Sequence, residues 1–206
     1  MTHTNGFAAG GRPFRAVTAA SEALLVLERF AIGSLMALLT GLILLNVVTR
    51  YSHVPLYWID ESAIFTTVWL TFLGASAMSR LRLDFSMTIL TERLPPAAVK
   101  AMRVIATLCI LSFGLALAVM CWLWMDPVGI ASAGFDAREY GGATFNFLYT
   151  ERTQTLNWPS WVVYLVMPLF ALTLMVHSAA NLLEDIGLAS PPDRSGIGLS
   201  NAEEVA

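Results

Sequence analysis

The sequence predicts an all-α integral membrane protein: four transmembrane helices, both termini cytoplasmic, and an amphipathic lead-in helix at the amino-terminal end. Three observations carry that expectation. Of 206 residues, 56% are hydrophobic and 13% charged, against about 25% charged in an ordinary soluble domain. Four runs are nearly free of charge, and each is long enough to cross a hydrocarbon core of about 30 Å, which takes roughly 20 residues of helix. Nine of the twelve Lys and Arg residues fall on one side of the alternation these runs impose, and positively charged flanks stay in the cytoplasm.

Residues 1–15, small and polar, read as a mobile cytoplasmic tail. They do not read as a secretory signal, because the apolar run that follows starts late, is long and lacks a small-residue cleavage site. From Ala16 to Arg29, Val17, Ala20, Leu24 and Leu27 recur at three and four residues, with Glu22, Glu28 and Arg29 off that stripe. This is the pattern of a helix lying on a membrane surface. The membrane domain is expected over 16–187, with spans at 30–50, 60–80, 103–125 and 159–183 and a long periplasmic loop at 126–158. A cytoplasmic tail is expected over 188–206. Backbone groups in lipid must satisfy one another, so the spans are helices.

Charges cluster where the first two spans meet. Asn46 and Arg50 are four apart and share a helix face, and a short loop returns Asp60 and Glu61 to the same level. The simplest reading is a salt bridge closing the hairpin; a contact to a partner subunit is the sharper one. Along the second span, Trp58, Glu61, Phe65, Trp69, Phe72 and Ser76 fall on one face at 100° per residue. Asp60, Ala63, Thr67, Thr71, Gly74 and Met78 fall on the other. Small and hydroxylated residues favour close helix approach, so the second face is expected to pack internally, leaving the aromatic face for lipid or another protein.

Arg50, Arg80 and Arg82 at helix carboxy-terminal ends, and Asp60 and Glu61 at an amino-terminal one, suit the helix dipole. Glu184 and Asp185 do not, and are expected to be exposed and screened. Pro95–Pro96 marks a turn before the third span. That span carries Ser112, Gly114, Ala116 and Ala118, and Gly74 and Gly114 are the expected close-packing positions. Pro168 should free the Tyr164 carbonyl and bend the fourth span. The loop at 126–158 is too rich in glycine for one long helix and too aromatic for simple disorder; it is expected to rest on the membrane surface or on another protein.

No catalytic residue, metal set or cofactor is expected. Cys109 and Cys121 are twelve residues apart in one run, about 18 Å along a helix and too far to bridge. His177 is the lone ionisable group of the fourth span and is expected to pack or hydrogen-bond. With one lysine and a net charge of −3, the chain has no basic footprint for nucleic acid. Acidic and basic residues are absent from the runs Phe30–Thr49, Ser62–Ser79, Val104–Met125 and Pro159–Leu183 within these spans, unlike in carriers that work alone.

NVVTRY at Asn46–Tyr51, W-x-D-E at Trp58–Glu61 and VWLTFLGAS at Val68–Ser76 resemble, in that order, the small membrane subunit of TRAP (tripartite ATP-independent periplasmic) transporters. The likeness covers 20–187. It implies a non-catalytic subunit of a bacterial inner-membrane, sodium-coupled importer of an organic acid, bracing a large multispan permease subunit that a periplasmic substrate-binding protein supplies. The implied interface comprises Asn46, Arg50, Trp58, Asp60, Glu61, Phe65, Trp69 and Phe72, with membrane lipid as a further partner. Where the family often has Gly-His after the second span this chain reads Leu83–Asp84, and its 126–158 loop looks long. Alternatives are a haem-b or quinone-linked redox protein, or a structural or assembly protein of the membrane.

Overall fold

Seven helices make up the described residues, 12–83, 95–190 and 192, of a computed structural model. They are α1 (Arg12–Tyr51), α2 (Tyr57–Leu81), α3 (Pro96–Met125), α4 (Pro127–Ser132), α5 (Ala137–Thr144), α6 (Ser160–Tyr164) and α7 (Val166–Asp185). No strand occurs among the described residues; a single bridge pairs Arg152 with Pro159. Four helical stretches are long and apolar enough to cross a membrane, and α6 and α7 together form the last of them. The expectations for residues 1–11 and 193–206, and for Asp84, Glu92 and Arg93 of the middle loop, lie outside the described residues.

The lead-in and the first span form one unbroken helix. At forty residues, α1 is about 60 Å long at 1.5 Å per residue, twice the hydrocarbon thickness. Its inward stripe is not the apolar one of Val17, Ala20, Leu24 and Leu27. Ser21, Leu25 and Glu28 are 0%, 1% and 3% exposed, while Ala20 and Leu27 face outward. Hydrogen-bond partners on α7 decide this: polar groups that find a buried partner turn in, and apolar neighbours are free to meet lipid.

The end of α2 is set by Arg82, in the left-handed region at φ 55°. Its N–H bonds to Ser79 O at 3.3 Å, and the Leu83 N–H to Met78 O at 3.1 Å, a closure that usually takes glycine. Pro96 opens α3 at a position where its missing N–H costs nothing. The buried residues of α3 are Thr107, Gly114 and Cys121, seven apart, a narrow seam suited to one neighbouring helix. That neighbour is α7, which also contacts α1 and α2 and so occupies the centre of the bundle, while α1 pairs with α2. Helical structure is interrupted at Leu165, between α6 and α7, where Pro168 cannot donate to the Tyr164 carbonyl four residues back.

Candidate functional site

Polar side chains gather at the two ends of the bundle. At the hairpin end, the Asn46 side-chain amide donates to Asp60 Oδ1 at 2.7 Å, and Arg50 donates through Nε to Asn46 Oδ1 and through Nη2 to Asp60 Oδ2, each at 2.9 Å. The three residues form a closed ring joining α1 to α2. It stands in solvent, with the Arg50 and Asp60 side chains 60% and 45% exposed.

Glu61 lies outside that ring. Its carboxylate accepts the backbone N–H groups of Gln154, Thr155 and Leu156 at 2.7–2.8 Å, and the Thr155 hydroxyl as well. The acidic pair therefore separates. Successive residues point 100° apart on a helix, so Asp60 faces α1 while Glu61 holds the loop that leads into α6.

The face assignment of α2 is corrected in the same way. Trp69 Nε1 donates to Val163 O at 3.2 Å, Phe72 meets Phe170 edge-on at a ring-centroid distance of 5.2 Å, and Ser76 Oγ is 2.8 Å from Thr173 Oγ1. The aromatic face thus packs on α6 and α7. Ile64, Thr67, Thr71 and Met78 are exposed instead. Bulk fills the space beside α7, and the hydroxyls of Thr67 and Thr71 bond back to Ala63 O and Thr67 O, 2.8 Å in both cases, so they can face lipid without an unsatisfied donor. Gly74 is corrected too, since a Cβ there would meet nothing within 4 Å. A Cβ at Gly114 would lie 3.0 Å from Met175 Cγ. Of the expected interface residues, Trp58 is 40% exposed and Phe65 is half-buried.

The opposite end holds a cluster that sequence reasoning missed. Arg80 is completely buried. It donates to Glu22 at 2.6 Å, to Glu184 at 2.7 Å, and to the Asn181 side chain. Arg82 reaches Asp185 at 2.9 Å and Asn181 O at 3.0 Å. The Thr107 hydroxyl donates to Asp185 at 3.0 Å. One connected network thereby ties α1, α2, α3 and α7. Glu184 and Asp185, expected to be exposed, are 4% and 3% exposed at their side chains. Their position at the negative end of α7 is offset by two arginines from the end of α2. One usable signal was present: acidic and basic pairs close matching ends of neighbouring spans.

A second buried group lies alongside. His177 Nδ1 is 2.7 Å from Ser21 Oγ and Nε2 is 3.0 Å from Glu28 Oε2. Both ring nitrogens are therefore engaged within the chain, which leaves neither for an iron ligand. Cys109 is exposed and Cys121 buried, and neither is paired.

The 126–158 loop is built rather than loose. Asp126 accepts the Gly129 N–H and the Tyr140 hydroxyl, both at 2.9 Å. Asp136 caps α5 through the N–H groups of Arg138 and Glu139, and the Glu139 bond first, then the Arg138 bond, hold its carboxyl below the ordinary range. Burial first, then the bond to Asp126, push the Tyr140 phenol up; burial likewise raises Tyr149. The rings of Tyr140, Tyr149 and Trp161 follow one another at 5.9 and 6.3 Å.

These features define a four-span membrane protein whose buried charges are matched from within, among the described residues. Residues 39–188 match the family model of the tripartite ATP-independent periplasmic transporters, DctQ component. The chain belongs to that family, and it is a small permease subunit of a TRAP transporter rather than an enzyme. It is 26% identical over 102 residues to the C4-dicarboxylate TRAP transporter small permease protein DctQ of Vibrio cholerae serotype O1 (strain ATCC 39315 / El Tor Inaba N16961). That match covers 49% of this chain and 44% of the relative, so the chain spans less than half of the curated relative it matches. No solved structure matches the chain.

Proposed function

We propose that the chain braces the large permease subunit of a sodium-coupled TRAP transporter in a bacterial inner membrane, with both termini in the cytoplasm. A periplasmic binding protein delivers the substrate, an organic acid. The relative's name favours a C4-dicarboxylate. The observation that carries a bracing role is the clasp around Arg80, which locks all four spans together at one end. Among the described residues the buried charges of this subunit bond to its own helices, which leaves them no role on a solute path, and its outer faces can hold a partner.

The partner surface follows from the corrected face of α2: the outward residues Ile64, Thr67 and Thr71. The test is co-purification with the large subunit, together with sodium-dependent uptake of a labelled C4-dicarboxylate in proteoliposomes. Thr67→Trp and Thr71→Trp should abolish both while the isolated small subunit keeps its melting temperature. Trp69→Ala should instead lower that melting temperature. Undiminished complex and uptake in the two threonine variants would rule this surface out. Uptake that needs no small subunit would rule out the bracing role.

A further inference from the structure

The space between α3, α6, α7 and the loop helices holds a groove of about 770 Å³, within the range of small-molecule sites. Its inner end is lined by Ala118 of α3 and Leu172 of α7, and its mouth by Phe135 and Ala137 of the loop. Trp122 and Trp161 flank the length between them. The interruption at Leu165 and the ring of Pro168, both lining residues, shape the α7 side.

We propose that this groove binds one acyl chain of a membrane phospholipid. Three features select that occupant. The groove is continuous with the lipid-facing surface, because Trp122 and Leu172 line it and are also 61% and 56% exposed on the spans themselves. It runs from the interior of two spans to the loop above them, so a chain lying in it keeps its polar headgroup at the membrane surface. Its lining is also almost wholly apolar: the one lining hydroxyl, Tyr149, already donates to Met125 O. Ordered water needs two to four polar partners, and a helix is about 10–12 Å across, wide for a slot of this volume.

The walls are fixed before any lipid arrives. Asp126 pins α4 through Gly129 and α5 through Tyr140, and Asn146 donates to Trp124 O at 2.7 Å. A preformed slot avoids the ordering cost of binding. The inference needs only that the chain spans a bilayer, and it stands or falls separately from the transport reading.

Native mass spectrometry of the full chain in mild detergent, supplied with 1-palmitoyl-2-oleoyl-phosphatidylglycerol, tests it. The wild type should retain one lipid per chain. Ala118→Phe, filling the inner end, and Ala137→Trp, filling the mouth, should each lower the retained fraction at least tenfold. Val119→Phe, on the exposed face beside the groove, should leave it unchanged. Ala137 lies in the loop outside the spans, so that variant reports even if Ala118→Phe fails to fold. Equal retention by wild type and Ala137→Trp, or none by wild type, overturns the proposal. So does retention of oleate without phosphatidylglycerol. Loss of the large subunit from Ala137→Trp with the lipid still bound would assign the groove to protein instead, and overturns it too.

Discussion

Gly129 and Gly74 are both helical glycines, and they stand in opposite situations. A Cβ on Gly129 would fall 1.9 Å from Asp126 Oδ2 and 2.9 Å from the Tyr140 ring. Gly129→Ala must therefore push apart the carboxylate and phenol that hold the loop. Overpacking of this kind costs about 1–3 kcal/mol, and a lowered melting temperature of the purified chain would register it. Gly74→Ala meets open space and should be neutral or mildly stabilising, by up to about 1 kcal/mol. Tyr140 supplies a pH signature. Its pKa is raised in the folded chain, so the folded state holds the phenolic proton longer than the unfolded state does. The resulting stability is complete below the usual tyrosine range near pH 10, and is lost as pH climbs through the raised value. An absorbance titration of phenolate should show a late-ionising component that Tyr140→Phe removes.

At the level of elements, the α1–α2 hairpin offers a clean separation of roles. Arg50 and Asp60 are directly bonded, whereas Glu61 serves the loop before α6. A double-mutant cycle of Arg50→Ala with Asp60→Asn should show coupling, small because the pair is exposed: about 0.5 kcal/mol. Arg50→Ala with Glu61→Gln should be additive. Coupling in the second cycle, or none in the first, would contradict the geometry. The sequence carried the four spans and the shared face of Asn46 and Arg50 legibly, because lipid imposes a length and helices impose a spacing of four; it did not show that Asp60 alone, and not Glu61, closes the hairpin. It did not carry the facing of α2. Periodicity divides Trp69, Phe72 and Ser76 from Thr67 and Thr71, but both divisions suit a membrane, where lipid is as apolar as a helix face. Only the position of α7 decides between them. The inward turn of Ser21 and Glu28 was hidden for the same reason, since their partner His177 lies about 150 residues away.

For the whole molecule, the clasp around Arg80 matters most, because it is the place where all four spans are joined. Arg80→Gln leaves the buried Glu184 with only Arg82, 3.8 Å away, as its cation and removes the ion pair that Arg80 makes with Glu22. Breaking a buried pair from one side costs roughly 3–5 kcal/mol, so the variant should lose thermal stability and yield of the assembled complex together. Arg80→Lys should rescue little, because an ammonium lacks the planar fork that reaches three partners at once. Full recovery by lysine would show that charge alone suffices. The clasp also sets a timetable. Arg80 and its partners Asn181 and Glu184 are separated by 101 and 104 residues, and a ribosome adds roughly 5–20 residues per second. The first hairpin, which already carries Glu22 as one acidic partner of Arg80, is therefore made about 5–20 s before Glu184 and Asn181 exist. During that interval Arg80 has Glu22 but not Glu184, and Glu28 lacks His177, its partner 149 residues on. Maturation of this subunit thus turns on its final helix, and a nascent chain halted short of residue 177 is the form most exposed to quality-control proteolysis.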